Sequence, residues 1–217
     1  MKLYQILASL VCCLTFASAL PALAQMSVAN PGPANFTATL TPMNTGVTHL
    51  KTSGEARFVI NGDVLTITID VSGAPPRIEH WQHFHGFKDG RDAKCPTEAA
   101  DTNKDGIIDL TETGSTAGTT MVPFNKDPAA MAIPTATYPR ASTQGNFHYR
   151  EMVSLKDLSV AFSKVFRGQG IDLERRVVFI HGVVPSKKLP ASVTSLGPIP
   201  AYVTLPIACG KIKQVVP

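Results

Sequence analysis

The sequence has little charge and, beyond its first residues, no long hydrophobic run. Charged residues make up 17% of the 217 positions and hydrophobic residues 44%. This composition excludes an intrinsically disordered chain, which would carry more charge and fewer apolar side chains. The net charge of +4 is too small and too scattered to indicate a nucleic-acid-binding surface. Because no later segment reaches about 18 consecutive apolar residues, the sequence predicts no transmembrane helix.

Long helices are disfavoured as well, because 16 glycines and 17 prolines interrupt the chain. The clearest local signal is Asn61-Gly62-Asp63, which lies between the apolar, β-branched runs 57–60 and 64–71 and predicts a hairpin. Further strands are predicted at 78–87, 147–152, 176–184 and 202–207, a single helix or turn at 155–165, and a loosely held lead-in at 25–36. The sequence therefore predicts an all-β fold, an antiparallel β-sandwich or barrel, as one domain over residues 25–217.

The N-terminal residues 1–24 have the pattern of a secretory signal peptide. Lys2 supplies the positive charge, an apolar run follows, and Ala22-Leu23-Ala24 forms a cleavage signal before Gln25. The alternative is an uncleaved membrane anchor, which the small residues and Pro21 at the end of the run disfavour. The sequence therefore predicts a periplasmic or secreted protein.

Two cysteines, Cys95 and Cys209, remain after the predicted cleavage. An even pair in an oxidising compartment predicts a disulfide, and two free thiols are the alternative. In the chain-entropy model, closing so long a loop would constrain the unfolded state by roughly 4–5 kcal/mol.

The densest chemical signal is the run His80-Trp81-Gln82-His83-Phe84-His85. On a strand, His83 and His85 project from the same face, at a spacing that suits one metal ion. Imidazole is a ligand for both copper and zinc. The alternative is that each histidine is an ordinary core or surface residue satisfied by hydrogen bonds.

Two further histidines, His148 and His181, lie downstream on strand-like runs and are additional candidate ligands. His49 stands apart from these runs, and we expect it to be a surface residue.

The pattern resembles the copper/zinc superoxide dismutases. His80-x-x-His83-x-His85 resembles their copper-strand motif H-x-F-H-V-H, and 176–182 resembles the later strand that delivers another copper ligand. The segment 205–212 resembles their closing L-A-C-G-V-I, and Cys95 occupies the place of the cysteine with which that segment pairs. The resemblance implies a Greek-key β-sandwich or barrel with copper-dependent dismutation of superoxide.

The same resemblance assigns individual roles. It implies that His83, His85 and His181 are copper ligands and that His80 supports the copper strand from behind. His148 corresponds to the histidine that bridges copper and zinc in the family, and is the candidate catalytic residue and a fourth copper ligand.

Two departures from the family leave the function open. No histidine lies between His148 and His181, so a zinc site is not expected. Pro206 stands where the family has an arginine that attracts the anion, unless Arg150, Lys187 or Lys188 replaces it. A copper-dependent dismutase acting on superoxide, a non-catalytic copper carrier and a calcium-stabilised envelope module are therefore the three hypotheses.

A long insertion at 86–147 contains a second motif, the loop 101–112. This loop matches the twelve-residue EF-hand pattern, with glycine at position 6. The predicted calcium ligands are Asp101, Asn103, Asp105, the carbonyl of Ile107, Asp109 and Glu112. The alternative is a solvated turn. Pro96 before the loop and Gly114 and Gly118 after it disfavour helical flanks and predict a single, helix-poor calcium clip.

Overall fold

The computed structural model describes residues 32–133 and 136–216, so the predicted signal peptide at 1–24 lies outside the described residues. The described chain is dominated by an antiparallel β-sheet. Its strands are β1 (Ala34–Pro42), β2 (Ser53–Asn61), β3 (Val64–Ser72), β4 (Gln82–Gly86), β5 (Thr119–Pro123), β6 (Phe147–Ser154), β7 (Val177–His181), β8 (Pro206–Lys211) and β9 (Lys213–Val215). None of the described helices is long and apolar enough to cross a membrane.

The strands follow the order β5-β4-β7-β8-β1-β2-β3-β6, with β9 paired to β1. Every pairing is antiparallel. The sheet curls into a half-barrel, and the predicted all-β antiparallel fold is confirmed. The order places β4 beside β7, whereas β6 lies at the far end of the sheet from β5.

The predicted hairpin is confirmed. Strands β2 and β3 pair up to Asn61↔Val64, and Gly62 between them has φ +58°, a conformation that favours glycine. Alternate side chains of β3 point into the core and are at most 1% exposed: Leu65, Ile67 and Ile69. The two-residue periodicity of this run therefore determines which face of the sheet is buried.

The helices are short: α1 (Thr45–Thr48), α2 (Leu110–Ala117), α3 (Leu155–Val165) and α4 (Ala201–Thr204). The predicted helix at 155–165 is confirmed as α3. The Ser154 hydroxyl accepts a hydrogen bond from the Asp157 backbone N–H, which caps the helix, and Leu158 and Phe162 are fully buried.

Two predictions at the chain ends were wrong. Strand β1 begins at Ala34, within the predicted loose lead-in, because its backbone pairs with β2 from that residue onward. The predicted strand 202–207 starts as the helical turn α4, and β8 begins only at Pro206.

The insertion at 86–147 has secondary structure of its own, namely α2 and β5, which pairs with β4. The flank after the acidic loop is therefore more helical than expected, since α2 begins within the loop at Leu110. Asp109 and Glu112 form a reciprocal capping box that starts α2, and Gly118 ends it with φ +76°. Gly114 lies within the helix, where a glycine is tolerated because the cap offsets its cost.

The predicted disulfide between Cys95 and Cys209 is confirmed, with Cα atoms 5.8 Å apart. It joins the insertion to β8 across a small second core, which is separate from the main one. The members of this second core are Met43, Phe87, Ala93, Ala117, Val177, Phe179 and Cys209. The bridge therefore holds the insertion against the strands that carry the histidines.

Candidate metal centre

Three histidines from two neighbouring strands meet at one point. His83 and His85 lie on β4 and His181 on β7, and one ring nitrogen of each lies within 4.8 Å of the others. All three are buried, with at most 3% of each residue exposed. Among the described residues, this is the one group of three or more His, Cys, Asp or Glu that converges so closely.

The antiparallel pairing of β4 with β7 explains this convergence. His83 lies opposite Phe179, and His181 is two residues further along β7, so its side chain projects from the same face as that of Phe179. The His83 and His181 rings are consequently 4.7 Å apart between centroids. The His83 and His85 rings are 5.5 Å apart on the same face of β4.

Each of the three rings has one buried nitrogen without a hydrogen-bond partner. These atoms are Nδ1 of His83, Nδ1 of His85 and Nε2 of His181. Nδ1 of His181 donates to the carbonyl of Thr204 at 2.7 Å, which leaves the lone pair on Nε2. Buried polar atoms normally have partners, because an unpartnered one has lost its interaction with water. Three unpartnered ring nitrogens within one tight histidine cluster are what a site for a metal ion would present.

Burial lowers the pKa of all three rings, because an imidazolium is poorly solvated inside a protein. The pKa values of His83 and His85 fall well below 6.5, and neighbouring histidines lower them further. Burial also lowers the pKa of His181 to about 4, although its bond to Thr204 acts in the opposite direction. The three rings are therefore neutral at pH 7, the state in which imidazole binds a metal ion.

His80 contacts the backbone of a cluster histidine. Its Nδ1 is 2.9 Å from the carbonyl of His181, and its Nε2 is 2.8 Å from the carbonyl of Pro75. The ring is fully buried and stacks on Phe147, with centroids 5.5 Å apart. His80 therefore links the backbone of a cluster histidine to the loop that precedes β4.

A narrow pocket leads to the histidines. Its volume is about 10 Å³, room for roughly one water molecule. Apart from His83 and His181, its lining consists of Trp81, Leu110, Thr120, Ile133, Leu196 and Thr204. No Lys, Arg, Asp or Glu is among these lining residues. The lining of this pocket beside the cluster is thus mainly apolar.

The structure does not bring His148 to the cluster. It lies on β6, which pairs with β3, and its side chain is 58% exposed. Its Nδ1 is 2.6 Å from a carboxylate oxygen of Asp70. The position of His148 therefore lends no support to its prediction as a copper ligand and catalytic residue, because the sheet order separates β6 from β4 and β7.

The acidic loop 101–112 is folded around its own side-chain oxygens. Asp101 accepts hydrogen bonds from the backbone N–H groups of Asp105 and Gly106, at 3.2 and 2.8 Å. Asn103 accepts from Asp105 at 2.9 Å, and Asp105 accepts from Ile107 at 2.8 Å.

Glu112 closes the loop from its other end. One of its carboxylate oxygens accepts from the backbone N–H groups of Thr102 and Asn103, at 2.8 and 3.3 Å. The other accepts from the backbone N–H of Asp109 at 3.1 Å. The last position of the predicted calcium loop is therefore joined to the backbone of its second and third positions, although the carboxylates of the loop do not converge as tightly as the histidines.

Sequence reasoning missed the residues that surround the cluster. Thr204 orients His181, and the hydroxyl of Thr120 lies 3.1 Å from Nε2 of His85. Trp81 stacks on Tyr138, with centroids 5.4 Å apart, beside the pocket. Only Trp81 carried a local signal, since it lies inside the histidine run. The two threonines come from segments whose contact with the cluster depends on the tertiary fold.

Comparison with protein-family models finds no match for this chain, and comparison with curated proteins finds none either. Membership of the superoxide dismutase family therefore stays a prediction that rests on the motifs.

Proposed function

We propose that this chain is an exported copper protein of the superoxide dismutase type, with its copper held by His83, His85 and His181. The observation that carries the proposal is the convergence of three buried, neutral imidazoles, each with an unpartnered nitrogen. Imidazole ligands suit copper. When bound, copper would supply the one-electron exchange by which two superoxide anions and two protons become dioxygen and hydrogen peroxide.

The protein's own residues would prepare the site for this chemistry. Thr204 holds His181 in the tautomer that presents Nε2, and His80 restrains the backbone of the same residue. Such outer contacts orient metal ligands. The pocket beside the histidines has room for about one water molecule and a mainly apolar lining. Superoxide, with two oxygen atoms, is a correspondingly small substrate.

The test is superoxide dismutation by the purified protein, loaded with copper and free of zinc. We expect turnover well above that of free copper, and loss of turnover in His181→Ala. His148→Ala is the matched control, because it removes an exposed histidine outside the cluster. Failure of the wild-type protein to bind copper tightly would contradict the proposal.

A second candidate function is a copper carrier without catalysis, and the apolar approach to the histidines favours it. Pro206 is buried in β8 at the position of the family's arginine. None of Arg150, Lys187 and Lys188 lines the pocket, so these residues do not replace the arginine there. Stoichiometric copper binding without turnover above the free-copper background would establish the carrier.

The same proposal includes a calcium ion in the loop 101–112, where it would stabilise the insertion. The support is the sequence pattern together with the side-chain oxygens that the loop folds around. We expect the melting temperature to increase as calcium is added, because a ligand that binds only the folded state stabilises it. Asp101→Asn should reduce that increase. Asp89→Asn, an exposed acidic residue outside the loop, is the control.

An unchanged melting temperature at millimolar calcium would contradict the calcium site. Calcium-dependent stability without copper binding would instead favour the calcium-stabilised envelope module.

A further inference from the structure

Two segments that are distant along the chain both contribute to the pocket beside the histidines. Leu110 is the first residue of α2 and lies in the last part of the acidic loop 101–112. Leu196 belongs to the segment between β7 and α4, and 54% of it is exposed. Both line the narrow pocket, together with His83 and His181. The width of this pocket therefore depends on how the two segments are held together.

Hydrogen bonds join these segments next to the pocket. One carboxylate oxygen of Asp109 accepts from the backbone N–H of Thr194 at 2.6 Å and from its hydroxyl at 2.7 Å. Asp109 is only 2% exposed, so these bonds are shielded from water. The hydroxyls of Thr111 and Thr194 are 2.6 Å apart, and the Ser192 hydroxyl donates to Asp105 at 2.5 Å.

The connection continues to a cluster histidine. The hydroxyl of Ser195, one residue beyond Thr194, is 2.8 Å from the hydroxyl of Thr204. The carbonyl of Thr204 in turn accepts the Nδ1–H of His181 at 2.7 Å. A continuous series of short contacts therefore runs from the acidic loop to the ring of His181.

We propose that the bonds from Asp105, Asp109 and Thr111 to Ser192 and Thr194 form a latch that keeps the pocket narrow and holds His181 in place. Asp109 and Thr194 are positioning residues in this device, because they act on the metal site only through Leu110, Leu196 and Thr204. The latch sets how fast a metal ion enters and leaves the cluster. Its effect on copper rests on the proposed function, whereas its effect on His181 does not.

The variant that opens the latch is the double substitution Ser192→Ala, Thr194→Val. Valine keeps the shape and backbone N–H of Thr194 but removes the hydroxyl that contacts Asp109 and Thr111. In the copper-loaded double variant we expect a soluble copper chelator to remove the metal about tenfold faster than from the wild-type protein. A tenfold change in rate is typical of the loss of one or two hydrogen bonds.

Two matched variants are expected to retain the wild-type rate. Thr194→Ser keeps the hydroxyl of the latch. Ser115→Ala removes a hydroxyl of α2 that contacts only the helix's own Glu112 carbonyl. Equal release rates in the double variant and in these controls would overturn the proposal.

A second measurement uses the metal-free protein and does not depend on copper. The exchange of the His181 Nδ1–H with water, followed by nitrogen-15 NMR of the imidazole, is expected to be about tenfold faster in the double variant. Unchanged exchange would overturn the latch even if copper binds. Faster exchange in a protein that binds no copper would support the latch and contradict the proposed function.

Discussion

Histidines of this protein lie in two opposite environments. Three form the buried cluster on β4 and β7, and His148 on β6 forms an exposed pair with Asp70 of β3. His83, His85 and His181 are buried, and each has a nitrogen without a partner. His148 is more than half exposed and is bonded to the carboxylate of Asp70. The comparison teaches that a histidine on a strand becomes a candidate ligand only when its neighbours bury it and leave a nitrogen free.

Removal of a cluster histidine should produce the largest effect. His85→Ala is expected to weaken copper binding by more than about a hundredfold. Removing a direct ligand costs more metal affinity than removing a residue that only supports a ligand. His148→Ala should leave the affinity within about twofold. Competition titration with a chelator of known affinity measures both. Equal losses in the two variants would remove the distinction between the buried and exposed histidines.

The stability of the metal-free protein should fall as the pH drops from about 6.5 to 4. Burial lowers the pKa of His181 to about 4, whereas an unfolded histidine titrates near 6.5. The unfolded state therefore binds more protons in this window, and the free energy of unfolding decreases as the pH falls. The contribution of His181 is roughly 3 kcal/mol.

Urea denaturation at several pH values measures this dependence, with His181→Gln as the comparison. The variant should show a shallower fall between pH 6.5 and 4, because glutamine does not titrate. An equally steep fall in the variant would show that His181 does not cause it.

Loss of the support behind the cluster should have an intermediate effect. His80→Ala removes the contacts with the carbonyls of His181 and Pro75 and should weaken copper binding by about 10- to 100-fold. Phe147→Leu removes the ring that stacks on His80 but keeps these contacts, and should have a smaller effect. Copper titration of both variants ranks them, and the reverse order would contradict the supporting role.

The exposed pair should have the smallest effect. Asp70→Asn removes the carboxylate charge from the contact with His148 and from the ion pair with Arg57. Both contacts are open to water and screened by salt, so the expected change in unfolding free energy is below about 1 kcal/mol. Chemical denaturation at low and high salt measures it. A decrease in the free energy of unfolding of more than about 2 kcal/mol would show that this exposed pair stabilises the protein as much as a buried ion pair does.

The sequence predicted those features that depend on residues close together along the chain. The alternation in β3 predicted its buried face, and the spacing of His83 and His85 placed both on one face of β4. The segment 155–165 was predicted as a single helix or turn, and it forms α3. The helix α2 was not predicted because Gly114 and Gly118 disfavour a helix there, whereas the capping box of Asp109 and Glu112 starts it in the structure.

The predicted role of His148 depended on a different kind of information, the order of strands in the sheet. Sequence pattern predicts that a segment forms a strand but leaves open which strand lies next to it. The β3–β6 pairing places His148 opposite Asp70. No local feature of 147–152 distinguishes that pairing from one beside the cluster.

By itself, the sequence determined the strand-rich fold, the cysteine pair and the placement of His83 and His85 on one face, because backbone periodicity and compartment chemistry act locally. It offered both His181 and His148 as further ligands, and only the tertiary structure decided that His181 joins the pair, that His148 does not, and that Leu110 and Leu196 line the same pocket. The physical reason is that these contacts depend on strand order and on hydrogen bonds between segments about 85 residues apart, such as Asp109 with Thr194.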